Sequence, residues 1–191
     1  MSDGIIRTTT EFVIAVLEKY IKEGDIVIDG TAGNGNDTRA LSKLAGEKGR
    51  VYAFDIQEAA IEKTGKLLAG SSPFDNVSLI CDSHENMSSY ISEKGRVAAA
   101  VFNLGFLPSG DKSVATTAEG SVRAITEALK LLKKGGIVSA VMYPGTEAGR
   151  KERDEVFSFA GLLACEKYHV VRCDMPNQPN RPPEIIFIEV K

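Results

Sequence analysis

The segment Ile26-Val-Ile-Asp-Gly-Thr-Ala-Gly-Asn-Gly-Asn-Asp-Thr38 decides the fold of this chain. Its apolar run ends on Asp29 and passes at once into a glycine-rich turn, which predicts a strand, a loop and a helix in that order. A second apolar run, Arg50-Val-Tyr-Ala-Phe-Asp55, ends on an acidic residue 20 positions after Gly35. Together the two segments predict a nucleotide-type ligand site at the carboxyl edge of a parallel sheet.

The glycine-rich turn is suited to close contact with a ligand. Gly33 and Gly35 allow positive φ and a near approach of the backbone, and Asn34 and Asn36 tolerate the same conformations and add side-chain amides. The helix that begins near Asp37 presents unpaired N–H groups to an anionic part of the ligand. A plain tight turn is the alternative interpretation.

The position of Asp29 favours one kind of ligand. A carboxylate at the very end of the strand suits an ammonium group, directly or through water, better than it suits a pyrophosphate. S-adenosylmethionine carries an ammonium and a carboxylate and no phosphate. The segment resembles the Rossmann-like methyltransferases that use this cofactor, and the resemblance implies that Asp55 binds the two ribose hydroxyls.

Length and composition set limits on the class of protein. With 191 residues and 43% hydrophobic residues, the chain can bury one sizeable core, and we expect residues 1–191 to form a single domain. The net charge of −3 gives no global basic signal for nucleic acid. Three widely spaced cysteines predict neither disulfides nor a metal site and fit a reducing cytoplasm. We find no leader-like segment and no apolar run long enough for a membrane span.

Apolar runs alternate with amphipathic stretches along the chain, which predicts an α/β fold with helices on both faces of a sheet. The expected architecture is a seven-stranded, mostly parallel sheet of the class I methyltransferase type with an antiparallel C-terminal hairpin. The predicted strands cover 25–29, 50–56, 77–81, 97–103, 137–142, 167–173 and 185–190, and the predicted helices cover 10–22, 37–45, 58–68, 118–132 and 149–161, with a loop at 104–115.

Residues that follow the third strand are candidates for the adenine side of the site. Ser83 and His84 lie where such methyltransferases contact the adenine, and Asp82 could accept a hydrogen bond from its amine. The alternative is that this segment only caps the next helix.

The segment after the fourth strand is predicted to serve the methyl acceptor. Many amine-directed methyltransferases carry Asn/Asp-Pro-Pro-aromatic at this point, and Asn103-Leu104-Gly105-Phe106 resembles that motif with Leu104 and Gly105 in place of the prolines. The carbonyl of Asn103 and the backbone carbonyl of Leu104 would orient the amine, and Phe106 would flank a planar base. Tyr143, after the fifth strand, is a candidate for the pocket wall, with plain packing as the alternative.

A set of motifs in fixed order extends the resemblance to almost the whole chain. It comprises Asp29 to Thr38, Phe54 to Gln57, Asp82 to His84, Asn103 to Lys112 and Asn177 to Pro183. This set resembles the YtqB/MnmM family of small bacterial methyltransferases. The resemblance implies S-adenosylmethionine-dependent N-methylation of 5-aminomethyl-(2-thio)uridine at the tRNA wobble position, and a homodimer. It also implies that the cofactor contacts are Asn34, Asn36, Asp55, Gln57, Ser83 and His84. The strand and helix pattern adds Asp29, Gly33 and Asp37 to these candidates.

Basic residues at the ligand edge are candidates for contact with the tRNA anticodon region. They are Lys112, Arg150, Lys151 and Arg181, with Arg153 close by. Arg181 stands in a loop that prolines 179, 182 and 183 make rigid. Solvated surface charge is the alternative for the group on the last helix.

Three classes of function remain open on the residues alone. An RNA or small-molecule amine methyltransferase is favoured, with rRNA as a possible substrate beside tRNA. A nicotinamide-dependent oxidoreductase is disfavoured by Asp29 and by the missing third glycine of the dinucleotide motif. A non-catalytic cofactor-binding or RNA-binding protein is the third. Cysteine-dependent methylation of a uracil carbon is disfavoured, because no cysteine follows the fourth strand.

Overall fold

The computed structural model describes residues 8–69, 75–105 and 116–191. Seven strands in this part of the chain form one sheet in the order β3-β2-β1-β4-β5-β7-β6. The strands are β1 Ile26–Asp29, β2 Arg50–Asp55, β3 Val77–Cys81, β4 Val97–Leu104, β5 Leu132–Met142, β6 Tyr168–Cys173 and β7 Glu184–Val190. The helices are α1 Thr9–Tyr20, α2 Asn36–Ala45, α3 Glu58–Ala69, α4 Ala118–Leu131 and α5 Glu147–Gly161, with a short 3-10 helix at His84–Ser89.

The pairing of the strands confirms the predicted fold class. The first five strands pair in parallel, and β7 runs antiparallel to both β5 and β6. Because Met142 pairs with Glu184, the loop that precedes β7 lies at the same edge of the sheet as the end of β5. This edge also holds the ends of β1, β2 and β4.

Two layers of apolar side chains bury the two faces of the sheet. Neighbouring residues of one strand face opposite layers: Val27 packs with Leu17 of α1 and Leu41 of α2, whereas Ile28 packs with Ile125 of α4 and Val156 of α5. The central strand β4 is buried along its length apart from Asn103 near its end. A strand buried on both faces holds its terminal residues in fixed positions for a site.

Several boundaries differ from the sequence prediction for identifiable reasons. Leu104 belongs to β4 and not to the following loop, because it pairs with Met142 and is fully buried. The chain enters β5 already at Leu132, where a register irregularity against β4 accommodates Gly135 at φ 72°. The 3-10 helix at His84–Ser89 was not predicted. Ser83 starts it by accepting a hydrogen bond from the backbone N–H of Glu85.

No helix in the described ranges is both long and apolar enough to cross a bilayer.

Candidate active site at the carboxyl edge of the sheet

The order of the strands creates a crevice at the carboxyl edge. The chain runs from β1 outward to β2 and β3, then returns to place β4 and β5 on the other side of β1. Ligands of open α/β sheets bind at such a switch point, outside the carboxyl ends of the strands. Asp29, Asp55, Asn103 and Tyr143 all stand at or just after strand ends on this edge, so the structure brings these predicted site residues together.

The glycine-rich turn takes the backbone conformation that its sequence predicts. Gly33 and Gly35 have φ of 53° and 81°, and Gly35 is the N-cap of α2. A Cβ atom added to Gly35 would lie 3.0 Å from Thr64 of α3, whose hydroxyl donates to the carbonyl of Gly33 at 3.3 Å. The turn is therefore pressed against α3, and the N–H groups of both glycines are bonded within the protein, that of Gly33 to Asp55 and that of Gly35 to the carbonyl of Ala32.

Asp29 holds this turn from within. Its carboxylate is fully buried and accepts hydrogen bonds from the Thr31 N–H at 3.0 Å and the Thr38 hydroxyl at 2.6 Å. Burial, followed by the nearby charge of Asp37, raises the pKa of Asp29 to about 7. Both carboxylate oxygens of Asp29 thus have hydrogen-bond partners within the protein. Asp29 would therefore affect a bound ammonium group through its negative charge at short range.

Asp55 connects the turn to the start of α3. One carboxylate oxygen accepts from the Gly33 N–H at 2.9 Å and the other from the Gln57 N–H at 2.9 Å. Each carboxylate oxygen can accept a further hydrogen bond. The carboxylate is half-buried at the end of β2 with Gln57 beside it, and its role in ribose recognition stays a prediction.

Asn34 and Asn36 lie in the same turn. Asn36 is exposed as the first residue of α2. The side-chain oxygen of Asn34 is buried and has no hydrogen-bond partner among the described residues. A buried acceptor without a donor is costly, so this atom fits a role in binding a ligand with N–H or O–H groups.

Ser83 and His84 approach the crevice from the end of β3. The Nδ1 atom of His84 lies 2.8 Å from the carbonyl oxygen of Gly30, and its ring meets the ring of Phe102 edge to face, with 5.8 Å between centroids. These contacts fix His84 beside the end of β1. The carboxylate of Asp82 accepts from the Ser83 N–H and from the side chains of Asn86 and Tyr90. Ser83 caps the 3-10 helix and Asp82 is occupied by these donors, which favours the capping interpretation of this segment.

The end of β4 carries the densest polar cluster. The side-chain amide nitrogen of Asn103 donates to the carboxylate of Asp37. The hydroxyl of Tyr143 lies 3.4 Å from Asn103 Oδ1, and the Asn103 N–H donates to the Thr31 hydroxyl at 2.7 Å. The amide of Asn103 is thus oriented with its nitrogen toward Asp37 and its oxygen toward Tyr143.

Asp37 and Asn103 form part of a closely packed pocket. Asp37 and Asn103 line it together with Thr10, Val13, Ile14 and Val141. Burial raises the pKa of Asp37, and the hydrogen bond from Asn103 opposes that effect. Burial also raises the pKa of Tyr143, followed by the charge of Asp37. The apolar wall behind Asp37 is the physical source of its altered acidity.

Leu104, Phe106 and Lys112 were also predicted to contact the substrate. The side chain of Leu104 is in the core, so only its backbone could face an acceptor. Phe106 and Lys112 lie outside the described residues. The ends of that segment meet, because the Thr116 N–H donates to the Gly105 carbonyl at 2.9 Å and the Thr116 hydroxyl accepts from the Gly105 N–H at 2.7 Å.

The basic candidates separate into two groups. Arg153 is committed to ion pairs with Asp154 and with Glu184, which is largely buried and also binds Arg172. Arg150 and Lys151 line a surface groove on α5. Neither residue forms an ion pair within the described part of the chain. Three carboxylates share the groove: Glu147, Asp154 and Glu155.

Arg181 stands in the loop before β7. Asn180 and Arg181 both have positive φ, 64° and 52°. The loop is at the ligand edge, and the side chain of Arg181 is exposed. A consecutive pair of non-glycine residues in this region of φ is uncommon and marks a locally constrained turn.

Sequence reasoning missed the threonines that organise the site. Thr31, Thr38 and Thr64 hold the glycine-rich turn and the end of β4 through their hydroxyl groups. Thr38 belongs to the segment from Ile26 to Thr38. A hydroxyl nine residues after a strand-end aspartate is a local signal that could have predicted its hydrogen bond to Asp29. The contact between Asp37 and Asn103 has no local signal, because 66 residues separate the two.

Known proteins resemble this chain across most of its length. Residues 51–189 match a family described as "Putative rRNA methylase". A chloroplastic tRNA (mnm5s2U34)-methyltransferase of Arabidopsis thaliana is 39% identical over 184 residues, which is 92% of this chain and 67% of the relative.

Solved structures agree with these sequence comparisons. A protein from Clostridium thermocellum described as a "putative rRNA-methylase" is 42% identical, with a TM-score of 0.93, and the match covers 97% of this chain and 98% of that one. A "putative methyltransferase" from Streptococcus mutans, solved in complex with SAH, is 36% identical, with a TM-score of 0.87 and complete coverage of both chains.

The site and these comparisons together establish the kind of protein. The crevice combines an acidic residue at a strand end with a glycine-rich turn, and the buried side-chain oxygen of Asn34 in that turn has no partner among the described residues. The two solved structures are described as methylases or methyltransferases and match nearly the full length of this chain. The chain belongs to the rRNA-methylase-like YtqB/MnmM family of S-adenosylmethionine-dependent methyltransferases.

Proposed function

We propose that this protein methylates the aminomethyl nitrogen of 5-aminomethyl-(2-thio)uridine at the wobble position of tRNA and so produces the methylaminomethyl form. The observation that carries the proposal is the orientation of Asn103. Its amide nitrogen is held by Asp37, and its oxygen lies 3.4 Å from the Tyr143 hydroxyl and keeps a second lone pair that can accept a hydrogen bond from an amine. The activity named for the Arabidopsis relative supports the choice of nucleoside.

The cofactor would be held by the residues around the glycine-rich turn. Asp55 would bind the ribose hydroxyls, the amide of Asn34 would accept from the ligand through its unpaired oxygen, and Gly33 and Asn36 would approach it closely. Gln57, Ser83 and His84 would complete the ribose and adenine side, and Asp29 would supply negative charge. When bound, S-adenosylmethionine supplies a methyl group activated by its sulfonium charge.

The protein residues would act mainly by positioning. Methyl transfer to an amine is an in-line displacement, so the alignment of the nitrogen lone pair carries most of the catalysis. Asn103 Oδ1 and the carbonyl of Leu104 would orient the amine, and Tyr143 and Phe106 would flank the base. None of the three cysteines stands at the end of β4, where a thiolate nucleophile would be needed.

The RNA would be held at the rim of the crevice. Arg150 and Lys151 on α5, Arg181 before β7, and Lys112 are the proposed phosphate contacts. A cytoplasmic location and a homodimer belong to the same proposal. One domain carrying all these groups is the simplest organisation.

A small-molecule amine is the second candidate substrate, and rRNA is a third. The carboxylates Glu147, Asp154 and Glu155 reduce the positive charge around Arg150 and Lys151, which makes this face a weaker attractor of phosphates. A substrate without a phosphate backbone would not need that attraction.

Two variants separate cofactor binding from transfer. Asp55→Ala should weaken S-adenosylmethionine binding at least about 100-fold, because hydrogen bonds to a charged group contribute about 1.5–3 kcal/mol each. Asn103→Ala should keep the affinity within about threefold and lose at least about 100-fold in the transfer rate. Calorimetry gives the affinities, and a labelled methyl group followed into tRNA from cells that lack the enzyme gives the rates.

Mass spectrometry of the digested tRNA would identify the product nucleoside. Label in methylaminomethyluridine supports the proposal. Label only in rRNA, or only in small molecules, contradicts the tRNA assignment. Equal cofactor affinity in Asp55→Ala and the parent protein contradicts the role of Asp55.

A further inference from the structure

Asp37 lies on the acceptor side of the site. Its carboxylate accepts a hydrogen bond from the side-chain amide of Asn103, and the oxygen of that amide lies 3.4 Å from the hydroxyl of Tyr143, just after the end of β5. In the sheet, β4 and β5 lie on one side of β1, whereas Asp55 stands at the end of β2 on the other side. A ribose at Asp55 therefore leaves Asp37 near the opposite end of the crevice.

The three carboxylates of the site differ in how they are used. Asp29 and Asp55 each have both oxygens hydrogen-bonded within the protein. The hydrogen bond of Asp37 within the described ranges uses only Oδ2. Its second oxygen is the one carboxylate oxygen among these three residues for which the described part of the chain supplies no donor.

Among the described residues, the groups near Asp37 that are named here carry a negative charge or none. Asp29 and Asp55 belong to the same electrostatic cluster, and Tyr143 stands opposite. The residues that α1 packs behind Asp37 are uncharged: Thr10, Val13 and Ile14. A positively charged group that enters this part of the site meets carboxylates and no competing cation among the described residues.

We propose that Asp37 binds the ammonium group of the substrate and accepts its proton before methyl transfer. This inference rests on the proposed function. An aminomethyl group is largely protonated near neutral pH, and a protonated amine has no lone pair for displacement. An ammonium beside a sulfonium also places two positive charges together, and a carboxylate at the acceptor offsets that repulsion.

The steps balance in atoms and charge. The ammonium R–NH3⁺ gives one proton to the Asp37 carboxylate, which leaves neutral R–NH2 and a carboxylic acid. The nitrogen lone pair then forms the N–CH3 bond while the electron pair of the methyl–sulfur bond passes to sulfur, which becomes a neutral thioether. The product is R–NH2⁺–CH3, and the proton on Asp37 passes to solvent.

Burial supports this chemistry. It raises the pKa of the Asp37 carboxyl and so narrows the gap to the pKa of an amine. Asn103 then has two tasks: its nitrogen holds Oδ2 of Asp37, and its oxygen orients the amine. The same arrangement should discriminate in favour of a cationic acceptor.

Asp37→Asn is the main test, because asparagine keeps the shape of the side chain and an acceptor for Asn103. Asp75→Asn is the matched control, since Asp75 is exposed before β3 at the other edge of the sheet. Anticodon stem-loop RNAs with 5-aminomethyluridine or 5-hydroxymethyluridine at the wobble position are the probes. Calorimetry gives affinities for the RNAs and for S-adenosylmethionine, and rates are measured against pH.

The parent protein should bind the aminomethyl RNA at least about tenfold more tightly than the hydroxymethyl RNA. Asp37→Asn should bind the two RNAs equally well, and its methyl-transfer rate should fall at least about 100-fold. Its affinity for the cofactor should stay within about threefold of the parent. Its remaining rate should rise with pH up to the pKa of the free amine. Asp75→Asn should match the parent in every measurement.

Distinct results overturn the inference and the proposed function. If the parent methylates the RNA and Asp37→Asn is equally fast or keeps the preference, the inference alone is wrong. If cofactor affinity falls in proportion to rate, Asp37 is a cofactor contact. If the parent protein does not methylate the aminomethyl RNA, both the inference about Asp37 and the proposed function are wrong. Should Asp37→Asn fail to fold, Asp37→Glu must retain the preference for the aminomethyl RNA; equal binding of the two RNAs contradicts the inference.

Discussion

At the scale of single residues, the site depends on carboxylates that are withheld from water. Asp29 is fully buried, the described ranges give it no cationic partner, and its two hydrogen bonds recover only part of the lost hydration. The position is useful because the carboxylate holds the glycine-rich turn. The buried position of Asp29 also lowers the stability of the fold when its carboxyl group is ionised.

The stability of the protein should depend on the charge of Asp29. The folded-state pKa is about 7, above the ordinary value of about 3.9 in an unfolded chain. Between these values the folded state retains a proton that the unfolded chain has lost, so stability falls as pH rises through this window and the loss is complete above pH 7. A pKa difference of this size corresponds to up to about 4 kcal/mol.

Asp29→Asn removes that ionisation. Relative to the parent, its free energy of unfolding should increase between pH 4.5 and pH 8, by up to about 4 kcal/mol. Urea unfolding at a series of pH values measures the difference, and Asp75→Asn should show no comparable trend. A difference between Asp29→Asn and the parent that is the same at both ends of the range would contradict this account.

At the scale of elements, the site is positioned by close packing between the ends of β1 and β4. A Cβ atom added to Gly30 would lie 2.3 Å from the ring of Phe102, which is fully buried. The carbonyl of Gly30 also contacts His84. The ring therefore occupies the space that any larger residue at position 30 would need, and the turn after β1 is held against β4.

Gly30→Ala should destabilise the protein by about 1–3 kcal/mol, because the Phe102 ring has no free space into which to move. Gly161→Ala is the control, since a Cβ atom there meets nothing within 4 Å, and its effect should stay within about 0.5 kcal/mol. Denaturant unfolding measures both. Equal stability of Gly30→Ala and the parent would show that the contact is not tight.

The elements also show how far the sequence could be interpreted. The turn from β1 to α2 and the strand ending on Asp55 were predicted to within one residue, because glycine positions and apolar runs are local signals. The early start of β5 at Leu132 was not predicted, because pairing with Val97 in the folded sheet overrides the local signal of the Lys-Lys-Gly-Gly break. The Asp37–Asn103 contact needed the fold, because only sheet order brings the two together.

At the scale of the whole molecule, the distribution of charge limits how RNA can bind. The net charge is −3, so attraction to phosphates must come from local groups. Arg153 cannot supply it without losing its pairs to Glu184 and Asp154. Arg150 and Lys151 remain available on the same helix, beside the end of β5.

A double variant, Arg150→Gln with Lys151→Gln, should weaken RNA binding and lower the steepness of its salt dependence by about one per lost phosphate contact. Arg153→Gln should instead reduce stability and leave the salt dependence unchanged. Binding titrations over a range of salt concentrations measure the slopes. An unchanged slope in the double variant would show that this face of α5 does not contact the phosphates.

The central claim is that the methyl group goes to the exocyclic amine of the wobble nucleoside. The most direct measurement incubates the parent protein and S-adenosylmethionine with two anticodon stem-loops that differ only in 5-aminomethyluridine or uridine at the wobble position, followed by mass spectrometry of the nucleosides. We predict that the aminomethyl nucleoside becomes one methyl group heavier on its side-chain nitrogen and that the uridine RNA is unchanged. A methyl group on a ring atom, on ribose or on both RNAs would contradict the account.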